Sequence, residues 1–382
     1  MSTAPAGQHT VRRHNRALVL HTVATDEPVS RARISARTGL TRGTVSSLVE
    51  ELIAAGLVAE LAAPRGATGR PANPLQLSRS GPAGLGVEIG VDDVAACVVD
   101  LTGSVRARAQ APSDHRDGPP AAGLSAAARV AARVVAEAAA EDLVPAGVTV
   151  ALPGVVADGV LERAPNLRRW QDVDVVARVG EVLVPVVGDV PITAGNEADL
   201  AALAEQWTST VHDFLYVSGG IGVGAGIVLG GRLFRGAGGR AGELGHVVVD
   251  PTGPDCSCGG RGCLERVAGL EALCRSAGAV DLDELATAHD DPAVTAALTV
   301  GGRALGVALA GALNLLDVPT VVLGGGYPRL GPALPAAAAD ELARRVVWRS
   351  PVELRTSALG ADAALRGAAM SVVRALLDRA AV

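Results

Sequence analysis

A chain of 382 residues, 49% of them hydrophobic, can bury a sizeable core, and its length predicts two or three domains. The net charge of −6 is uneven: residues 1–80 hold ten Arg against five acidic residues, a net +5 that leaves −11 for the remainder, and a basic head on an acidic body suits contact with nucleic acid. Five Cys do not make a disulfide framework, no apolar run reads as long enough to span a membrane, and MSTAPAGQHTVRRHNR is followed by no signal-type apolar stretch, so a cytoplasmic protein is expected.

In chain order, residues 11–60 read as helical. Ser30–Thr38 predicts a short helix with Ile34 inward, and Gly39 supplies a turn. Thr41 is a suitable N-cap for a second helix, in which Val45, Leu48, Val49, Leu52 and Ile53 form one apolar face. Helix, glycine turn and amphipathic helix are the pattern of a helix-turn-helix. Arg42, Gly43 and Ser46 lie opposite the apolar stripe, where a recognition helix meets base edges, and Thr44 and Ser47 flank them as phosphate donors. Gly43 lowers helix stability by about 1 kcal/mol against Ala but leaves a bare surface for close approach to DNA. Arg65 and Arg70 sit in the Pro/Gly-rich stretch Pro64–Pro74, a wing that would reach phosphate or minor groove. The plain alternative is a helical subdomain with a solvated polar face.

The breaker cluster Gly81-Pro82-Ala83-Gly84 reads as a linker, dividing a head of residues 1–80 from a body of residues 81–382. In the body, β-rich runs (Leu85–Val91, Val94–Leu101, Val148–Leu152, Phe214–Ser218, Thr320–Leu323) alternate with Ala-rich helical stretches near 122–141, 266–277, 301–316 and 362–379, which predicts α/β. There is an internal echo. Leu85–Val91 turning into Val94–Leu101 resembles Leu215–Gly222 turning into Gly226–Leu229, as expected of two similar halves around a cleft.

The sharpest chemical pattern follows the second half of that echo. Gly242-Glu243-Leu244-Gly245-His246 precedes Cys256-Ser257-Cys258-Gly259-Gly260-Arg261-Gly262-Cys263-Leu264-Glu265. One imidazole and three thiolates, His246, Cys256, Cys258 and Cys263, suit a closed tetrahedral structural Zn2+, with the glycines letting the loop curl. Cys97 and Cys274 read as packed thiols.

These residues resemble the ROK family, which contains sugar-responsive repressors and sugar kinases. The resemblance spans nearly the whole chain and is most specific at Glu243-x-Gly-His246…Cys256-x-Cys258-x4-Cys263-x-Glu265. It implies an α/β protein with an N-terminal winged helix-turn-helix followed by a two-lobed actin/hexokinase-like body, and the head marks the repressor branch. It also implies a monosaccharide in the cleft, contacted by Gly154, Asn166, Asn196, Glu197, Glu243, His246 and Glu265, so that His246 serves both metal and sugar. Carboxylates and carboxamides suit vicinal hydroxyls.

Family kinases place an Asp as general base where this chain has Glu197, one methylene longer, and a misplacement of about 1 Å can lower rate about a hundredfold. Their first phosphate loop carries a Thr that Glu88-Ile89-Gly90-Val91-Asp92 lacks, and Glu88 and Asp92 add negative charge there. The second, Ser218-Gly219-Gly220-Ile221-Gly222, lacks its Thr as well; Gly324-Gly325-Gly326 retains only the glycines. The expectation is therefore no catalytic residue and no enzyme: a sugar-responsive repressor of carbohydrate genes, acting as a homodimer or homotetramer on a double-stranded, pseudo-palindromic operator, without a membrane partner. An ATP-dependent sugar kinase with a DNA-binding head is the alternative. Xylose, glucose, an N-acetylated hexosamine or a phosphorylated sugar would all meet similar polar groups.

Overall fold

The computed structural model of the chain describes residues 8–62, 73–288, 290–348 and 351–381. The head comprises α1 (Gln8–Asp26), α2 (Arg31–Thr38) and α3 (Arg42–Ala54), then an antiparallel pair, β1 (Val58–Glu60) and β2 (Leu75–Leu77). Ser30 caps α2 by accepting from the Arg33 amide, Gly39 ends it at φ +71°, and the Thr41 hydroxyl accepts from the Thr44 amide to start α3. Val45, Leu48, Val49 and Leu52 are buried in one cluster with Val19, Leu20, Val23 and Ile34, and Ile53 is half-buried at its edge. Helix does not continue to residue 60 as expected. Val58 and Leu57 are buried, and Val58–Glu60 register with Leu75–Leu77, so pairing with the second strand overrides helical propensity there. Arg65 and Arg70, expected on the wing between these strands, lie outside the described residues.

The first lobe runs β3 (Gly81–Ile89), β4 (Asp93–Val99), β5 (Val105–Pro112), α4 (Pro120–Ala139) and β6 (Leu143–Leu152). A small sheet of β7 (Val155–Ala157), β8 (Val160–Arg163) and β9 (Val173–Asp174) follows, then α5 (Val175–Val187), β10 (Ile192–Asn196) and α6 (Glu197–Thr208). The second lobe runs β11 (Phe214–Gly219), β12 (Val223–Leu229), β13 (Arg232–Leu233), α7 (Glu265–Ala268), α8 (Leu270–Ala277), α9 (Leu282–Thr287), α10 (Pro292–Leu316), β14 (Thr320–Gly325), α11 (Ala333–Arg345) and β15 (Glu353–Thr356), and α12 (Ala363–Ala381) closes the chain.

The two large sheets are built alike. The first has the order β10-β6-β3-β4-β5 and the second β15-β14-β11-β12-β13, each with an antiparallel hairpin on one side of its first strand and parallel strands on the other. The echo between the β3–β4 and β11–β12 segments is thus a structural repeat, with the cleft between its halves.

The helix α12 crosses back from the second lobe to the first. It packs on β3, β6 and β4, lies along α6, and touches α1 of the head. A Cβ on Gly367 would stand 1.9 Å from the Leu200 carbonyl oxygen, so α12 and α6 meet backbone to backbone. At its far end Arg16 Nε donates to the Ala380 carbonyl at 2.6 Å. Ala95, Cys97 and Val99 of β4 and Leu365, Ala369, Met370 and Val373 of α12 share one cluster with the buried residues of the head.

The 25-residue α10 is long and apolar enough to cross a membrane by length and composition. Its Leu305, Leu309 and Leu313 are buried in the second-lobe core against α8 and α11, which identifies it as a core helix.

Candidate functional site

The carboxyl ends of β3, β6 and β10 face the β11–β12 turn and the loop after β13 across a cavity of about 210 Å³. Crevices beyond strand carboxyl ends are where open α/β sheets bind ligands. All seven residues expected at a sugar, Gly154, Asn166, Asn196, Glu197, Glu243, His246 and Glu265, line this one cavity.

Gly154 holds the turn after β6 at φ +104°, and a Cβ there would lie 2.3 Å from the Arg163 carbonyl oxygen, so only glycine lets β6 and β8 approach. Asn196 is occupied by the fold: Oδ1 accepts from the Ala198 and Asp199 amides as the N-cap of α6, and Nδ2 donates to the Gly154 carbonyl at 2.7 Å. It therefore ties the turn to the helix. Glu197 is the first residue of α6, and burial, helped by the Asp93 charge, pushes its carboxyl up to about 7. Asp199, two residues further along α6, is raised to about 6 by burial, although Arg235 Nε reaches it at 3.1 Å. Asn166 Oδ1 accepts from Ser257 Oγ at 3.3 Å. Gly222 has no Cβ to collide with Glu265 Oε2, which would be 2.5 Å away, so Asn166 and Glu265 stand against a bare turn. Burial also raises Glu243, opposed by neighbouring His246.

His246, Cys256, Cys258 and Cys263 converge, with ligand atoms all within 4.8 Å of one another. His246 Nδ1 and Cys256 Sγ are 3.7 Å apart, as are the sulfurs of Cys258 and Cys263. A tetrahedral metal with bonds of about 2.0–2.3 Å demands separations of about 3.5–3.8 Å. The loop is pinned by bridges from Val248 to Cys263 and from Asp255 to Arg261, and the Gly260 amide points at Cys258 Sγ at 3.3 Å. The donor set and its spacing fit a closed metal site. His246 Nε2 faces Glu243 at 3.8 Å, and Glu265 Oε1 lies 2.9 Å from Cys256 Sγ, so the metal loop and the cleft share a wall. Cys97 and Cys274 are buried thiols away from it, with burial pushing Cys97 up to about 12.

Sequence reasoning did not place Glu88, Asp92 and Asp93 among the residues lining the ligand cavity. Their signal was position: they bracket the turn at the carboxyl end of the first strand of the body. Glu88 is raised well above the ordinary carboxylate range by burial, then by the Glu197 charge. Each of the three glycine loops that match the kinase phosphate loops has an amide committed to its own backbone. Gly90 N–H donates to the Asp93 carbonyl, Gly220 to Gly222 and Gly326 to Gly219, at 3.0, 3.0 and 2.8 Å.

On the head, Arg42, Gly43 and Ser47 are exposed on α3, and Thr44 and Ser46 are half-buried. Thr44 Oγ1 sits 2.9 Å from the Thr41 hydroxyl as part of the cap, and Ser47 accepts from Arg12 at 3.1 Å, while Arg12 also pairs with Glu51. A Cβ on Gly43 would meet nothing within 4 Å, so the protein's own packing does not require glycine there.

A winged helix-turn-helix fused to a two-lobed body with a polar cleft is the plan of a ligand-responsive transcriptional regulator. The sequence model of the ROK family matches residues 84–375, and the chain belongs to the ROK family. The model of the MarR family matches residues 13–67. The chain is 28% identical to the xylose repressor of Bacillus subtilis, over 98% of both chains. Its fold is that of a ROK family transcriptional regulator, a homologue of the E. coli MLC protein (TM-score 0.78, 24% identity, 97% of this chain and 99% of that one). It is also similar to a ROK family glucokinase from Streptomyces griseus solved with glucose and AMPPNP (TM-score 0.67, 26% identity, 76% of this chain and 98% of that one).

Proposed function

We propose that this protein is a sugar-responsive transcriptional repressor in which residues 1–80 bind DNA and residues 81–382 bind a monosaccharide. The observation that carries the reading is the path of α12: it packs on α6, whose first residues floor the cleft, and its other end holds α1 of the head. A ligand that binds one arrangement of the lobes better than another shifts α6 against α12, and with it the head. Arg42, Gly43, Ser46 and Ser47 meet the operator, with Thr44 fixing the start of the helix. Gly154, Asn166, Glu197, Glu243, His246 and Glu265 surround the sugar, and Asn196 positions the turn and helix that present it. His246 Nδ1 and the thiolates of Cys256, Cys258 and Cys263 hold a structural Zn2+ that stiffens the wall. Two heads in a homodimer or homotetramer read a pseudo-palindrome in the cytoplasm. Because the xylose repressor of Bacillus subtilis is similar over 98% of this chain, D-xylose is the first effector to try.

The test is a mobility shift on the full chain, using operator fragments selected from sheared genomic DNA. Release of the fragment by D-xylose or another neutral monosaccharide, abolished by Asn166→Ala, is the expected result. DNA binding that no monosaccharide alters overturns the sensor reading.

One observation favours the kinase reading: Glu197 holds a carboxyl raised to about 7 in the cleft, the range of a working general base. Against it, the adjoining cavity where a nucleotide would lie is lined by Asp92, Asp93, Glu271, Asp281 and Asp283, and its one Arg, Arg116, faces Asp92 and Asp114. ATP-dependent phosphorylation of a sugar, lost in Glu197→Gln, would restore that reading.

A further inference from the structure

The cleft is lined by six carboxylates, those of Glu88, Asp92, Asp93, Glu197, Glu243 and Glu265, and by no Arg; the sequence contains no Lys. Arg116 faces Asp92 at the rim at 3.9 Å, and the other guanidiniums around the cleft are committed elsewhere. Arg235 bonds Asp199 and the Val156 carbonyl, Arg240 is bidentate to Glu162, and Arg163 donates to the Cys258 carbonyl. Arg108, whose charge reaches Glu88, is bidentate to Asp362. Several of the backbone amides at the cleft are committed as well. The amides at the start of α6 are taken by Asn196 Oδ1, and those of Gly90 and Gly220 by carbonyls.

Within this set Glu88 and Glu197 stand apart. Asp93 accepts from Gln110, and Glu265 from Cys256 and Ser257, whereas among the described residues Glu88 and Glu197 accept no hydrogen bond and pair with no cation. Unsatisfied carboxyls lining a cavity ask for partners from whatever occupies it; above the value of about 7 to which Glu197 is raised, its carboxylate takes hydroxyl or ammonium hydrogens and repels an anion in a medium that screens poorly, and no cation beside Glu88 or Glu197 offsets that anion.

Resting on the reading of the cleft as a monosaccharide site, we propose that Glu88, together with Glu197, is a specificity-determining residue that restricts the effector to neutral and amino monosaccharides and rejects sugar phosphates and sugar acids. A phosphate or carboxylate within about 5 Å of either side chain would find no compensating charge, which weakens binding about a hundredfold or more.

Calorimetric titration of the full-length protein at about pH 8, above the value of about 7 to which Glu197 is raised, tests this with matched families: xylose, glucose, galactose and mannose, the corresponding amino sugars of the hexoses, and the phosphate and uronic or aldonic acid form of each. Every neutral or amino sugar that binds is expected to do so about a hundredfold or more tighter than its anionic forms. Glu88→Gln, whose ligand-free melting temperature is measured alongside, is expected to shrink that ratio about tenfold, and Glu197→Gln provides the same reading at the second carboxylate. An anionic form that binds as tightly as its neutral parent overturns this inference and leaves the sugar site standing, as does a ratio that neither variant moves. Failure of the whole panel to bind overturns the sugar site and this inference with it.

Discussion

The two lobes share a strand order and differ in almost everything that the strands present. In the first, the turn from β3 to β4 and the start of α6 supply carboxylates: Glu88, Asp92, Asp93 and Glu197. In the second, the matching β11–β12 turn is Gly220-Ile221-Gly222, and the wall comes instead from the loop after β13 with its His and three Cys. Buried Val, Leu and Ala fill the core of both lobes. The side chains at the strand ends are free of that demand and differ. The first lobe therefore supplies four of the six cleft carboxylates, and the second supplies Glu243 and Glu265 beside the His/Cys cluster.

If the second lobe owes its wall to a metal, removing the metal should loosen that lobe and the cleft it shares. Structural zinc contributes about 10 kcal/mol or more in isolated domains. Chelation, or Cys263→Ser, should lower the melting temperature of the body by about ten degrees or more and abolish the sugar response. Elemental analysis should find one Zn2+ per chain in the untreated protein. A chelated protein with unchanged melting would remove the metal from the account.

The first lobe should break at its backbone. Gly154→Ala adds a Cβ at positive φ and 2.3 Å from a carbonyl oxygen, which should destabilise by about 3 kcal/mol. Thermal unfolding measures this, and an unaltered midpoint would mean that β6 and β8 can part at no loss.

Much of this was legible in the sequence, and the reasons are physical. The α2–α3 corner was, because capping at Thr41, the glycine turn and the stripe from Val45 to Leu52 are local signals. So was the convergence of His246 with Cys256, Cys258 and Cys263, because the glycines between them let one short loop curl. The strands β5, β10 and β15 and the helices α5, α6 and α11 were not read. Val105–Pro112 alternates Ala with Arg and Gln, so its inward face is weakly apolar, and Asn196 reads as a polar residue until the fold shows it capping α6. The dual packing of α12 joins residues far apart in the chain, and no local pattern announces such a contact.

The carboxylate lobe also predicts a pH dependence. Burial raises Glu197 from its ordinary 4.5 to about 7 and Asp199 from 3.8 to about 6. The folded state then holds protons that the unfolded chain has released. Its stability from these groups is fullest below their unfolded values and is lost as pH rises through about 6 to 7. The ligand-free melting temperature should fall by several degrees between about pH 5 and pH 8, and Glu197→Gln should flatten part of that slope. A flat profile in the unaltered protein would show that water or a counter-ion already neutralises the site.

The smallest expected effect separates the head from both lobes. Gly43 sits in the first turn of α3, exposed, with open space where a Cβ would be. By intrinsic propensity Gly43→Ala should stabilise the helix by up to about 1 kcal/mol, so thermal unfolding should show no loss and a slight gain. If α3 is the recognition helix, that methyl occupies the surface that DNA approaches, and operator affinity should fall by about tenfold even as stability rises. A stability change and a binding change of opposite sign cannot come from misfolding. Unchanged operator affinity in a stabilised Gly43→Ala protein would mean that this turn of α3 does not face DNA, and Arg42 would lose its place at the interface with it.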